Sequence, residues 1–337
     1  MRRLLTPAPL AGLVVGLLLV TVVALYLIPS SDYLLLPDIA HPVAPLVRVQ
    51  GGRNPTGPGS IYFVDVIERR ASMLESLFPW IHSDGTLVPA NLIVPPGTTD
   101  RDVRRVDLQE MATSQQVAAA VALRQLGYKV AARPNGVLVS VIELGSHAAG
   151  VLQPDDVITA VDGAPTPTVS SLRRRLAGAK IGQTVTLHVR RGVRRLVLRV
   201  KTIADPLAPK RAIVGFTPDQ SARITLPRRV SIDAGNVGGP SAGLAFALEV
   251  MAKLGRDVTR GHRVAATGEI ELNGAVAPIG GVKQKVFDAR KAGADVFLVP
   301  AGENAAEARR YASGLRIIPV KSFPQALRAL ATLPRIR

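Results

Sequence analysis

Gly238-Gly-Pro-Ser-Ala-Gly-Leu-Ala-Phe-Ala-Leu-Glu-Val250 is the stretch from which the rest of the chain is read. A glycine-rich turn runs straight into an apolar helix, and this pattern predicts Ser241 in the helix's first turn. A hydroxyl there is exposed among unpaired backbone N–H groups at the positive end of the helix dipole. On the loop alone three readings stand: an ordinary N-cap serine, an anion site, or a nucleophile whose oxyanion the backbone N–H groups would hold. The phosphate version is weakened because GxxxxGK[ST] occurs nowhere in the chain.

A serine nucleophile needs a base. The 5 histidines, His41, His82, His147, His188 and His262, are scattered, and only His262 lies in the same segment, in the polar turn Arg260-Gly-His-Arg263. The other available base is lysine, whose pKa burial lowers by ~3–5 units. The helix expected after Gly281 offers Lys283 and Lys285. Val282, Val286, Ala289 and Gly293 form its apolar face, and Lys285 sits beside that stripe. Periodicity favours Lys285 only slightly over a pair of solvated lysines flanking a core stripe.

Outward from this segment, 337 residues predict two or three domains at roughly 100–200 residues each. Zero cysteines exclude a disulfide scaffold, cysteine zinc sites, iron–sulfur ligation and a thiol nucleophile. The net charge of +17 would suit nucleic acid or an anionic surface, but only 4% aromatics leaves few stacking platforms. Residues Leu4 to Ser31 carry no charged side chain, and Leu10 to Pro29 has the ~20 residues of a membrane span. Arg2 and Arg3 precede it, and the next basic residue is Arg48. The positive-inside rule then predicts residues 1–31 as a cytoplasmic tip and single-pass anchor in the cell membrane. Everything after it would be extracytoplasmic, with membrane lipid as a partner and no nucleic acid.

Residues 45–128 read as strands and a helix. Ser60 to Ile67 is strongly β-forming, Ala71 to Phe78 is a short helix, and Thr99-Asp100 caps a long helix ended by Gly127. Ala119, Leu123 and Leu126 would be its buried stripe. Residues 129–203 form a compact unit with strands Gly136 to Ile142, Asp156 to Gly163, Gln183 to Arg191 and Val193 to Lys201, and a short helix Ser170 to Leu176. After a linker, Ala204 to Lys210, residues 205–337 alternate strands and helices. The turn Ser146-His-Ala-Ala-Gly150, then Leu152-x-x-Asp155-Asp156-x-Ile158, then Asp162-Gly163, resembles a PDZ domain of the bacterial protease type. The resemblance implies a β-sandwich-like unit with an open sheet edge at Gly136, Val137, Leu138 and Val139. That edge would face the helix from Ser170, and an extended peptide would add to it as a strand.

Three further blocks stand in order: Gly238 to Val250, Thr267-Gly-Glu-Ile-Glu-Leu-Asn-Gly274 and Ala277-Pro-Ile-Gly-Gly-Val-Lys-Gln-Lys285. Together they resemble the proteolytic domain of Lon proteases. That resemblance implies an α+β chain containing a Lon-type proteolytic α/β domain. It also implies a Ser–Lys dyad of Ser241 and Lys285, with Thr267 hydrogen-bonded to the lysine and an oxyanion site at the backbone of Gly239, Pro240 and Ala242. One position departs, since Gly238 stands where the family commonly carries an aspartate. Anchor, PDZ unit and Lon-type domain together resemble the membrane-bound, ATP-independent Lon-like proteases of bacteria. The expectation is a serine endopeptidase for unfolded or membrane-associated proteins, with no cofactor or metal and a homo-oligomeric assembly. Segments before the PDZ unit would complete the protease fold. The alternative is a non-enzymatic peptide-binding scaffold.

Overall fold

The structure is a computed structural model that describes residues 7–94, 99–143, 145–206 and 208–336, with side chains from Ala11 onward. The expected cytoplasmic tip, with Arg2 and Arg3, lies outside the described residues. Helix α1, Pro7–Leu27, carries exposed apolar side chains such as Leu13, Leu17, Val20 and Leu27. Among the described residues no helix is long and apolar enough to cross a membrane.

Beyond α1, the strand Pro29–Pro37 is the centre of an antiparallel sheet between Val66–Ser72 and Thr86–Pro89. Ser72 and Glu75 form a capping box that opens α2, Met73–Leu77. Helix α3 is the short turn Ala90–Ile93. The long helix α4, Asp100–Gln125, starts at the expected Thr99, whose hydroxyl accepts from the Asp102 N–H.

The core of the larger unit is a five-stranded sheet ordered His41–Pro42, Ser60–Phe63, Arg263–Ala266, Val296–Pro300, Arg316–Val320. The last four strands are parallel and the first is antiparallel. The chain leading to the second strand and the chain supplying the third lie on opposite sides of the PDZ unit. Successive residues point to opposite faces of a strand, and both faces here are covered. Val264, Ala266, Val296 and Leu298 join a cluster containing α6 (Gly243–Lys253) and α9 (Phe323–Ala331), together with Met111, Ala118 and Val121 of α4. Ala265, Phe297 and Val299 face α7 (Val282–Lys291) and α8 (Glu303–Tyr311) on the other side. Every residue of α6 is buried, as an apolar-all-round helix between layers requires. Full burial of side chains such as Phe246 and Leu248 contributes about 1.5–3 kcal/mol each. The β-forming run Ser60 to Ile67 is two strands, because the chain leaves the central sheet at Val64-Asp65 and enters the N-terminal sheet at Val66.

The PDZ unit is a sheet ordered Arg194–Lys201, Thr184–Arg191, Val157–Val161, Ala131–Ile142, Phe216–Thr225, with α5 (Val169–Leu176) packed against its last two strands. Val137, Val139, Leu152, Ile158 and Leu187 fill its core. One expectation is corrected here, because the edge at Gly136, Val137, Leu138 and Val139 is not open. Ser221, Gln220, Asp219 and Pro218 pair with those four residues in an antiparallel ladder. The cause lies in the linker. Ile203–Asp205 and Ala208–Ile213 pair as a hairpin that turns the chain back across the sheet and lays Phe216–Thr225 on the edge.

Candidate active site

The segment before α6 begins with an Asx turn, Gly235 N–H donating to Asp233 Oδ1 at 3.0 Å. Gly239 adopts φ +79°, a left-handed geometry that a side chain would strain. Ser241 lies in the turn just ahead of α6 and outside the helix's first turn. The N-cap position is Ala242, with no side-chain cap. Ser241 is therefore not a capping serine, and its side chain is free for other work.

Its hydroxyl is 2.9 Å from Lys285 Nζ. Lys285 is 4% exposed, on the first turns of α7. The turn before α7 is pinned by Asn304 of α8, which accepts from the Ile279 N–H and donates to the Ile279 carbonyl, both at 2.8 Å. Burial lowers the Lys285 pKa to about 8, against the opposing pull of the Asp65, Glu68 and Asp288 carboxylates. A lysine so placed can shed its proton near neutral pH, as a base must. Cleavage is expected to rise with pH through a midpoint near 8 as Nζ becomes neutral. A pH–rate profile of kcat/KM with no ionisation between about 7 and 9 would remove Lys285 from that role.

The structure separates the two lysines cleanly. Lys283 Nζ points away and donates to the carbonyls of Ser83 at 3.0 Å and Gly85 at 2.7 Å, tying α7 to the N-terminal layer. Lys283→Ala is expected to lower stability by roughly 1–2 kcal/mol while leaving kcat within about twofold. Thermal melts beside kinetics check this. A loss of turnover matching that of Lys285 variants would make Lys283 the base.

Thr267 is fully buried at the end of the strand Arg263–Ala266. Its hydroxyl donates to the Ser241 carbonyl at 3.3 Å and not to the lysine as expected. The Gly268 N–H donates to the same carbonyl at 2.7 Å, so this strand end holds the nucleophile turn by its backbone. The expected oxyanion donors also need correction. Pro240 has no N–H, and the Gly239 N–H donates to the Asp107 carbonyl of α4 at 2.8 Å. Among the described residues the N–H groups of Ser241 and Ala242 have no acceptor, and these two remain for a developing oxyanion. His262, expected in a polar turn, is buried with Nε2 2.8 Å from the Pro334 carbonyl.

Sequence reasoning missed the role of α4. Ser114 donates to the Pro240 carbonyl at 2.9 Å, Arg104 donates to the Asn236 carbonyl, and Asp107 receives Gly239. A Cβ on Gly238 would lie 2.6 Å from the Asp107 Cβ, so the side chain of Asp107 occupies the space beside Gly238. The signal was present: Asp107 and Ser114 are polar residues on the α4 stripe that carries Met111, Ala118 and Val121 into the core. Nearer Lys285, Asp38, His41 and Asp65 hold three potential metal-ligand atoms within 4.8 Å of one another, the one such group among the described residues.

Comparison with known proteins agrees with this architecture. Residues 227–331 match the Lon protease (S16) C-terminal proteolytic domain, and residues 124–202 match the PDZ domain. Lon protease 2 of Bacillus subtilis is 32% identical over 144 residues, covering 43% of this chain and 25% of that protein. Lon protease of Helicobacter pylori is 42% identical over 96 residues, covering 26% of this chain and 11% of the relative. The chain thus spans a quarter or less of the length of these relatives. Among solved structures, the PDZ domain of an SdrC-like protein from Listeria monocytogenes is 26% identical, covering 25% of this chain and 87% of that one, with a TM-score of 0.23.

Proposed function

We propose that this chain, a PDZ-containing Lon-like protease by its domains, hydrolyses peptide bonds with Ser241 as nucleophile and Lys285 as base. The observation that carries the reading is the 2.9 Å contact between Ser241 Oγ and a buried lysine whose pKa lies near neutrality. Neutral Nζ accepts the hydroxyl proton as Oγ attacks the carbonyl carbon. The tetrahedral oxyanion is held by the Ser241 and Ala242 N–H groups. Collapse breaks the C–N bond, Lys285 returns the proton to the departing amine, and an acyl-enzyme remains. Lys285 then takes a proton from water as it attacks the ester, and gives that proton to Ser241 Oγ as the C–O bond breaks, so that both residues return to their starting state. Thr267 and Gly268 fix the Ser241 carbonyl, and α4 fixes the loop ahead of it. Their part is to position the nucleophile.

The substrates in this reading are unfolded or membrane-associated proteins, cut without nucleotide. Helix α1 anchors the chain in the cell membrane with the other domains outside the cytoplasm, and the protease domains assemble as a homo-oligomer. The test is incubation of the chain with an unfolded protein in the absence of nucleotide. Fragments from the wild type that are absent with Ser241→Ala support the reading. Fragments from both would overturn it, and fragments from neither, while the unfolded protein is still retained, would favour the binding scaffold.

A further inference from the structure

The strand Phe216–Thr225 occupies the place where a PDZ unit takes an extended peptide: along Ala131–Ile142 and against α5. Its hold there is specific. The Gln220 side chain bridges the groove, Nε2 donating to the carbonyls of Gly136 and Pro167, both at 3.0 Å, while Oε1 accepts from the Val169 N–H at the start of α5 at 3.4 Å. Ser221 Oγ donates to Asn135 Oδ1 at 2.9 Å. Phe216 packs in the unit's core, and the residues after it are held by the backbone ladder and these polar side chains, none of them buried. Past Phe216 the strand returns little apolar surface of its own to water when it leaves, and such edge segments open locally at lower free energy than the core. The far edge of the strand is unpaired and carries Pro218, so the sheet ends there.

The chain after Thr225 runs without interruption into the nucleophile. Val230–Ile232 pairs with Val47–Val49, Asp233 opens the Asx turn, and the segment continues to Ser241. We propose that Phe216–Thr225 is a resident ligand of the PDZ groove and that an extended internal segment of an unfolded protein enters by strand exchange. The exchange frees the connector that leads to Ser241 and so raises peptidase turnover. The recognition chemistry is a backbone ladder plus one side-chain amide bridging Gly136 and Pro167, and a chain terminus plays no part. Groove exchange stands by itself, and only the effect on turnover rests on the peptidase reading.

The cysteine-free chain allows a direct test. Val141 and Thr217 are exposed cross-strand partners, and such pairs lie at the ~4.4–6.8 Å Cα separation a disulfide needs. Val141→Cys with Thr217→Cys, in the full chain carrying Ser241→Ala, gives a strand that oxidation locks and reduction frees. The probe is a fluorescent synthetic peptide of residues 216–225, read by anisotropy. Binding at least about tenfold weaker in the oxidised form, restored by reductant, is the expected result. Gln220→Ala, in the same Ser241→Ala chain without the cysteines, is expected to tighten peptide binding about tenfold by weakening the resident strand. Equal binding by locked and reduced chains, or no binding by any of them including the Gln220→Ala chain, overturns the proposal. With Ser241 restored, the locked form is expected to cleave unfolded protein about tenfold more slowly than the reduced form, and equal rates would overturn the link to turnover. Absence of cleavage in both would instead count against the peptidase reading, and the binding measurement still decides the groove.

Discussion

Ser241→Ala and Lys285→Met are each expected to reduce cleavage by about 10⁴-fold or more, and the double variant to be no worse than either alone, because nucleophile and base act as one unit. The structural cost of the two changes differs. Ser241 Oγ has Lys285 as its hydrogen-bond partner, so its loss leaves the fold intact. Lys285 is a buried amine whose pKa desolvation lowers to about 8 against the pull of the Asp65, Glu68 and Asp288 carboxylates. Methionine has similar length and carries no charge to bury, so Lys285→Met is expected to melt at or above the wild-type temperature. Steady-state kinetics with thermal melts separates loss of chemistry from loss of fold. Additive losses in the double variant would mean that the two residues act in different steps.

The second large effect is expected at Gly238. Restoring the aspartate common in the family is expected to damage this protein, because the new Cβ would meet the Asp107 Cβ at 2.6 Å. That atom is the root of a helical side chain and cannot swing aside. Burial already raises the Asp107 pKa, so a second carboxylate adds like-charge repulsion to overlap. The loop would withdraw from α4, losing the Gly239-to-Asp107 and Ser114-to-Pro240 hydrogen bonds that set the nucleophile turn. Gly238→Asp is expected to lose about 10²-fold or more in kcat/KM, in line with the cost of misplacing a reacting group by about 1 Å. Adding Asp107→Gly, which removes both the clashing Cβ and the repelling carboxylate, is expected to recover at least about tenfold. Full activity of Gly238→Asp alone would show that α4 does not hold the loop.

The residues that were legible in the sequence are those whose chemistry depends on neighbours close in the chain. A glycine-rich turn before a largely apolar helix marked the site of Ser241 and α6, and Thr99 marked the start of α4. The alternation in Arg263–Ala266 and Val296–Pro300 does not show as polar and apolar residues, because both sheet faces are covered. Periodicity left Lys283 and Lys285 nearly equal, since both border one stripe of α7. What separates them is tertiary, namely the carbonyls of Ser83 and Gly85 that capture Lys283. The clamp from Asp107 and Ser114 crosses more than a hundred residues of chain, and no local pattern reports such a partner. The filled PDZ edge escaped for a related reason. Phe216–Thr225 shows no alternating burial and includes a proline, so no local pattern assigns it to the PDZ sheet, and it reads as part of the segment after the linker.

The central claim, that Lys285 makes Ser241 nucleophilic, is tested most directly by trapping the serine covalently. The full chain would be treated with a serine-directed fluorophosphonate at pH 6.5 and at pH 8.5, and the adduct located by peptide mass mapping. The expected result is one adduct, on Ser241, forming about tenfold or more faster at the higher pH as the lysine with pKa about 8 loses its proton, and absent in Lys285→Met. An adduct on another residue, or equal labelling of Ser241 with and without the lysine, would contradict it.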